Sequence, residues 1–259
     1  MLQRFGEYNP NPHFPHLPLI LLFGILISVF VSLLVQQPTT QIIATIRYDN
    51  LTMPASSIRS IGVVTCSTRP TRVNPYITQH ISELLADIIR EVPGLRGAAL
   101  ETIDLEAQGL PLYDEPAVPA GLPADDPTPH YRAAHTRRWS AVVRAHDAFV
   151  FVTPQYNWSV PASLKNALDY LYHEWGGKPA AVVTYGSRGG GRAAAHLQQI
   201  LTGLKMVVAG TAVPLSISMS DIDECLAEGA LTRSVVERWA GEGGVTEALR
   251  SAAGEMGGQ

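Results

Sequence analysis

From residue 58 onward the chain alternates between two hydrophobic periods. "SIGVVT" (60–65) is a short β-branched run and reads as a strand. Apolar residues then recur at Ile77, Ile81, Leu84, Leu85, Ile88 and Ile89, the spacing of one helix face. Asn74 followed by Pro75 marks the start of that helix, an N-cap residue ahead of proline at the first helical position. "AALETIDL" (98–105) reads as a second strand, and residues 106–129, with six prolines and many acids, as a long loop. A helix over 131–146 carries its stripe on Trp139, Val142 and Val143. "AFVFVT" (148–153) is a third strand, after which Pro161 opens a helix with Leu164, Leu168 and Leu171 on one face. "AAVVTY" (180–185) and "MVVAGTAV" (206–213) are the fourth and fifth strands, separated by a Gly-rich turn and a helix over 192–203. Residues 221–252 have helical composition and one apolar stripe.

Five short apolar strands alternating with helices predict an α/β fold, a doubly wound parallel sheet covered on both faces. Crossovers of this length are right-handed. In such sheets a ligand binds beyond the carboxyl ends of the strands, at the topological switch point. The informative residues are therefore expected just after strands 1, 3 and 4.

The first sixty residues differ in kind. Residues 17–35, "LPLILLFGILISVFVSLLV", carry no charge and are long enough to cross a bilayer core as a helix. A single membrane anchor is the expectation; a cleaved signal and a start site placed too early are the other readings. The expected organisation is an N-terminal tail (1–16), an apolar helix (17–36), a linker (37–57), the α/β domain (58–219) and a helical C-terminal tail (220–259). Two glycosylation sequons occur, at Asn50 and Asn157. A glycan on Asn157 would block a site at the end of strand 3, so the main domain is expected in the cytosol.

Composition narrows the classes. The chain has 259 residues, 46% hydrophobic and 16% charged, enough to bury a sizeable core. A net charge of -4 gives no nucleic-acid footprint. Two cysteines, Cys66 and Cys225, make neither a disulfide framework nor a metal set. Cys66 ends an apolar run and is expected to be a buried thiol. The eight histidines show no metal-ligand spacing.

Three loops hold the candidate chemistry. "STRPTRVNP" (67–75) offers hydroxyls, two cations (Arg69, Arg72) and a helix N-terminus, a combination suited to a phosphate. Pro154-Gln155-Tyr156-Asn157 follows strand 3; its amides are expected to lack ladder partners and to face the edge of a flat heterocycle, with Tyr156 against a ring. "YGSRGGGR" (185–192) has glycines that allow close backbone approach. There is no G-x-G-x-x-G and no complete P-loop, because Arg192 and Ala193 stand where Lys and Ser/Thr are needed. Each loop by itself also reads as ordinary structure: a capped helix with solvated arginines, a rigid turn, a flexible loop.

"TPQYNWSVPASLKNALDYL" (153–171) resembles the P-x-Y-N-x-x-x-P-x-x-L-K-N-x-x-D/E signature of the NADPH-dependent FMN reductases, a flavodoxin-like group that includes quinone, azo-dye and chromate reductases. Ser67-x-Arg69-x-x-x-x-Asn74 is similar to the S-x-R-x-x-S-x-N phosphate loop of that family, with Arg72 where a serine is common. Tyr185-Gly186-Ser187-x-Gly189-Gly190 matches its glycine-rich turn. The resemblance covers about residues 58–215. It implies strand order 2-1-3-4-5 and noncovalent FMN. Ser67, Arg69, Arg72 and Asn74 would frame the phosphate. Pro154, Gln155, Tyr156 and Asn157 would line the isoalloxazine, and Tyr185, Gly186, Ser187, Gly189 and Gly190 its other side. It further implies NADPH as donor, with Arg188 or Arg192 toward its 2′-phosphate, a small-molecule acceptor with quinones first, and a homodimer. Lys165 and Asn166 read as helix-surface residues, or as contacts to a partner subunit; His130 or Tyr131 is the residue expected to reach an acceptor pocket from the long loop. A flavodoxin-like FMN sensor without turnover, a reductase supplying free flavin, and a tethered scaffold without flavin are the competing readings.

Overall fold

The computed structural model describes residues 58–241 and 244–258. The apolar segment 17–35, the linker 37–57 and the Asn50 sequon lie outside the described residues. Among the described residues no helix is long and apolar enough to cross a membrane.

The elements run β1 (Ser60–Thr65), α1 (Asn74–Glu91), β2 (Ala99–Asp104), α2 (Ala134–Arg144), β3 (Ala148–Pro154), α3 (Ala162–Asp169), β4 (Pro179–Gly186), α4 (Gly191–Gly203), β5 (Val207–Ser216), α5 (Met219–Glu228), α6 (Arg233–Gly241) and α7 (Val245–Met256). The five strands form one sheet in the order β2-β1-β3-β4-β5, all neighbours parallel. This is the flavodoxin-like order, with its switch point between β1 and β3. The register puts Thr65 level with Val152 and Pro154 level with Tyr185, so β1, β3 and β4 end along one rim.

Alternate residues of each strand feed opposite layers, as the pleat requires. Val150 and Val152 of β3 face one core with Ile61 and Val63 of β1, covered by Ile77, Ile81 and Ile88 of α1 and by Leu249, Ala252 and Met256 of α7. Phe149 and Phe151 face the other, with Trp139 of α2, Leu164 and Leu168 of α3, Leu197 of α4 and Trp175. Gly62 sits between β2 and β3 side chains: a Cβ there would lie 2.7 Å from Ile103 Cδ1 and 2.9 Å from Phe149 Cε1. The three helices beyond residue 219 are part of the first of these layers, for Val235 and Trp239 of α6 and Leu249 of α7 are all buried in it.

Two helix starts differ from expectation. Asn74 is not the N-cap of α1; Val73 is, with no side-chain cap. The Asn74 side chain is fully buried and turned to the sheet, accepting from Ser67 N–H at 2.7 Å and donating to Val152 O at 3.1 Å. Helix α2 begins at Ala134 rather than 131, because Tyr131 is extended and buried, its hydroxyl donating to Glu174 at 3.0 Å.

Candidate functional site

The first loop leaves β1 at Cys66 and is drawn tight at its base. Ser67 is fully buried between Asn74 and Tyr156: its N–H goes to the amide, and its Oγ lies 2.7 Å from the Tyr156 hydroxyl. Arg72 turns away from the loop mouth. It makes a bidentate pair with Asp104 at the end of β2, at 3.0 and 2.7 Å, and also donates to Ser67 O. The Arg72 guanidinium, expected to frame a phosphate, is thus paired with a carboxylate at the end of β2. Its guanidinium fork matches a carboxylate already in reach and so is used to tie the loop to β2. Arg69 is exposed and has no carboxylate partner among the described residues; its guanidinium lies over the Tyr156 ring, 3.6 Å from the centroid. The N–H groups of Thr68 and Thr71 take no acceptor among the described residues.

The second loop is a two-residue hairpin. Tyr156 and Ser159 exchange N–H to O bonds of 2.9 and 3.0 Å as an isolated antiparallel bridge. The residues between them, Asn157 and Trp158, both have positive φ, 47° and 69°. That is the type I′ pattern, normally filled by Asn-Gly. The expectation that this corner's amides are unpaired is half right. Gln155 N–H donates to Tyr185 O and Tyr156 N–H to Ser159 O, whereas those of Asn157 and Trp158 have no partner among the described residues. Pro154 is buried as the last residue of β3.

The third loop turns from β4 into α4. Gly189 and Gly190 have φ of 75° and 78° and are buried; a Cβ would come 2.7 Å from Pro214 Cβ at one and 2.9 Å from Thr184 Cβ at the other. The protein's own packing already requires glycine at both positions. Gly186 and Gly191 differ: a Cβ at Gly186 meets nothing nearer than 3.7 Å, and at Gly191 nothing within 4 Å. The Gln155 side chain bridges the second and third loops, its Oε1 accepting from Arg192 N–H at 3.0 Å and Ala193 N–H at 3.3 Å. It thereby satisfies two orphan donors of the α4 N-terminus. Ser187 is exposed, whereas Tyr185 is buried, which pushes its phenol well above the ordinary range.

The three loops thus converge at one rim. Ser67 and Arg69 meet Tyr156, and Gln155 meets Tyr185 and Arg192. An open cleft of about 560 Å³ lies between the second and third, lined by Gln155, Trp158, Ser187, Arg188, Gly190, Gly191 and Arg192. Free amides, one unpaired guanidinium at a helix N-terminus and an adjoining ring-sized opening suit a ligand with a phosphate at one end and a flat heterocycle at the other. The Tyr131 hydroxyl is taken up by Glu174, and His130 is exposed on the long loop.

Sequence reasoning missed several residues. Asp104, inside the stretch that reads as the second strand, carries no sequence signal of its pairing with Arg72. Asn166 is more than a surface residue: its amide donates to Pro111 O at 2.7 Å and accepts from Tyr113 N–H at 2.9 Å, pinning the long loop against α3. Lys165 does lie on the surface, paired with Asp169 at 2.7 Å. Trp158, 70% exposed with Arg192 stacked 4.5 Å from its ring centroid, carried no signal beyond its place in the signature.

A flavodoxin-like sheet with a phosphate-suited loop after β1 and a flat-ring cleft after β3 and β4 defines the class of nucleotide-cofactor α/β proteins. Comparison with known proteins takes this further: residues 59–219 match the model of the family described as NADPH-dependent FMN reductase, and the chain belongs to that family. It is 41% identical over 167 residues to the NAD(P)H-dependent FMN reductase of Saccharomyces cerevisiae, covering 63% of this chain and 85% of that protein. It is 34% identical over 158 residues to a quinone reductase of Pseudomonas putida, covering 58% and 74%. The solved structure of the flavoenzyme NAD(P)H:(acceptor) oxidoreductase FerB from Paracoccus denitrificans shares the fold, with a TM-score of 0.52 at 22% identity over 76% of this chain and 98% of that one. The protein is an oxidoreductase whose family works with FMN and NAD(P)H.

Proposed function

We propose that the protein holds FMN at this rim and passes hydride from NADPH to a quinone-like acceptor in a ping-pong cycle. The observation that carries the reading is the convergence of the three loops, through the Ser67–Tyr156 contact on one side and the Gln155–Arg192 contact on the other. FMN, when bound, supplies the hydride chemistry; the chain supplies binding, orientation and electrostatics. Arg69 and the free amides of Thr68 and Thr71 hold the phosphate, with Ser67 and Asn74 shaping the loop from beneath and Arg72 bracing it. The amides of Asn157 and Trp158 and the open surface at Gly186 face the isoalloxazine edge. Tyr156 supplies an aromatic wall, Gln155, Tyr185, Gly189 and Gly190 fix the spacing of the two loops, and Ser187 borders the opening. Because FMN would itself supply the hydride chemistry, no acid–base dyad among the chain's own side chains would be required.

The segment boundaries proposed above place the working domain at 58–219, with the helices beyond it as part of its packing. A cytosolic location and a homodimer belong to the same reading. Exposed Leu112 and Val118, at 85% and 74%, lie on the long loop that Asn166 pins beside α3, a surface suited to a second copy.

The test is spectroscopic. Residues 58–259 expressed alone should purify yellow and bleach on anaerobic addition of NADPH, with colour restored by a quinone. A colourless protein that takes up no FMN on titration overturns the reading.

A further inference from the structure

The sheet ends in two edge strands, β2 and β5, and the chain treats them differently. An open edge presents unpaired N–H and C=O groups to any strand that can lie beside it. The β5 edge is plugged. Glu255 of α7 accepts from Gly210 N–H at 2.5 Å and from Thr211 N–H at 3.2 Å, and Gln198 of α4 donates to Ala209 O and Gly210 O, each at 3.1 Å. Pro214, further along the same strand, has no N–H to offer.

The β2 edge has no such plug among the described residues. At its two ends Ala99 N–H donates to Arg59 O at 2.8 Å and Leu105 N–H to Thr65 O at 3.1 Å, both toward β1. Backbone groups alternate in direction along a strand, so those of Leu100 and Thr102 point away from β1. They take no partner among the described residues. Only at the upper end does the chain's own loop close over the edge, where Gln108 donates to Asp104 O at 3.4 Å.

Beside this edge runs a groove of about 550 Å³ between β2 and α1, its floor formed by Pro75, Ala86 and Leu100. The pleat gives the two sides of the edge different chemistry. Leu100 and Thr102 face the groove. Glu101 points to the opposite side, where it meets His146 at 3.2 Å. Glu83 lines the groove from α1 and accepts from Gln79 at 3.1 Å. Neither carboxylate is paired with a lysine or arginine among the described residues, and the Arg72 guanidinium at the upper end is taken by Asp104.

We propose that the β2 edge is a docking site for an extended segment of another protein in which apolar and basic residues alternate, added to the sheet as a further strand. This goes beyond the redox reading and does not depend on it. Bonds to the free backbone of Leu100 and Thr102 hold such a segment, and pockets for its alternate side chains select it. Its apolar side chains enter the groove, and the lysines or arginines between them lie on the other face, beside Glu101. A second copy of this chain is a poor occupant. Two β2 edges laid together would set Glu101 against Glu101, and like charges directly opposite in a sheet are destabilising.

The experiment uses the purified full chain and three short labelled peptides, read by fluorescence anisotropy. One alternates valine and lysine, one alternates valine and glutamate, and one carries valines and lysines in separate blocks. The alternating lysine peptide should bind at least about tenfold more tightly than either of the others. Hydrogen exchange of the Leu100 and Thr102 amides should slow when it binds. Thr102→Pro removes an N–H that makes no bond to β1, so the fold should survive, as edge strands tolerate proline with its ring side outward, and peptide binding should be lost. Glu101→Lys is the second variant, independent of any strain from proline; it should weaken the lysine peptide and strengthen the glutamate one. Circular dichroism reports the fold of each. The visible spectrum of both should match that of the unsubstituted protein, since neither residue belongs to the three loops at the rim. Equal binding of the alternating and block lysine peptides, or affinity for the alternating lysine peptide that is unchanged in Glu101→Lys, overturns the proposal. So does sedimentation showing self-association that Thr102→Pro abolishes, which would assign the edge to a second copy.

Discussion

At the scale of single residues, one kind of side chain is used for three purposes along one rim. Arg69 is free at a loop mouth, Arg192 is stacked on an indole, and Arg72 is spent on Asp104. Sequence could identify all three as cations but not assign them, since a guanidinium's role is fixed by whichever acceptor lies within reach. The clamp role of Arg72 is testable. Arg72→Ala should lower stability by about 1–3 kcal/mol, the range for losing a charged hydrogen-bonding partner, and should loosen FMN. Asp104→Asn should loosen FMN as well, although Asp104 touches no phosphate in the proposed site. FMN fluorescence quenching and urea melts measure both; if Asp104→Asn leaves FMN affinity unchanged, Arg72 is not acting through the clamp. Lys178 gives a pH signature. Burial pushes its amine down to about 8 while its Nζ donates to Val143 O at 2.6 Å. The unfolded chain therefore binds more protons than the folded one between pH 8 and the ordinary lysine range near 10.5. This residue's contribution to stability should rise across that window and be lost as pH falls toward 8. Lys178→Met should remove the slope, which denaturant melts at a series of pH values would show.

At the scale of elements, the strands were legible because a buried parallel strand must be apolar and short; β1 and β3 fall within a residue of their expected limits. Helix ends were less legible. Helix α2 starts late because the backbone just before it is held by a residue far along the chain, the Glu115 carboxylate accepting from Arg132 N–H at 2.9 Å and Ala133 N–H at 2.8 Å. No local pattern announces a tether about seventeen residues upstream. Burial opposes ionisation of Glu115, but these bonds outweigh it and hold the carboxyl below its usual range. Its contribution to stability is therefore present above the ordinary carboxylate range and fades as pH drops through and below it. Glu115→Gln keeps the size and loses the charge; it should cost about 1–2 kcal/mol near neutral pH, the range for weakening hydrogen bonds to a charged group. The acid limb of its stability curve should also be shallower than that of the unsubstituted protein. Neighbouring contacts hold the same loop, with Asp114 accepting from Tyr170 at 3.0 Å and meeting His135 at 3.0 Å.

At the scale of the whole molecule, the sheet has two faces to cover and only one helix, α1, lies over the first face among the crossovers. Helix α7 completes that layer, burying Leu249, Ala252, Ala253 and Met256 against β4 and β5. A large apolar side chain is worth about 1.5–3 kcal/mol when fully buried, so removing residues 244–259 should unfold the domain or leave it a loosely packed, aggregating species. Near-UV circular dichroism and gel filtration of the truncated protein would report this. A well-folded, yellow truncation would mean that the family's core needs no closing helix here.

The sequence by itself determined the class of fold and the three places where chemistry gathers, because periodicity, proline and glycine act over a few residues and a parallel sheet leaves its strand ends at one rim. Tertiary structure decided what each polar group in those places does. Hydrogen bonds and ion pairs form with whatever lies within about 3 Å in space, and the partners that matter here — Asp104 for Arg72, Tyr156 for Ser67, Trp158 for Arg192 — are brought together by the wound sheet from 32, 89 and 34 positions away.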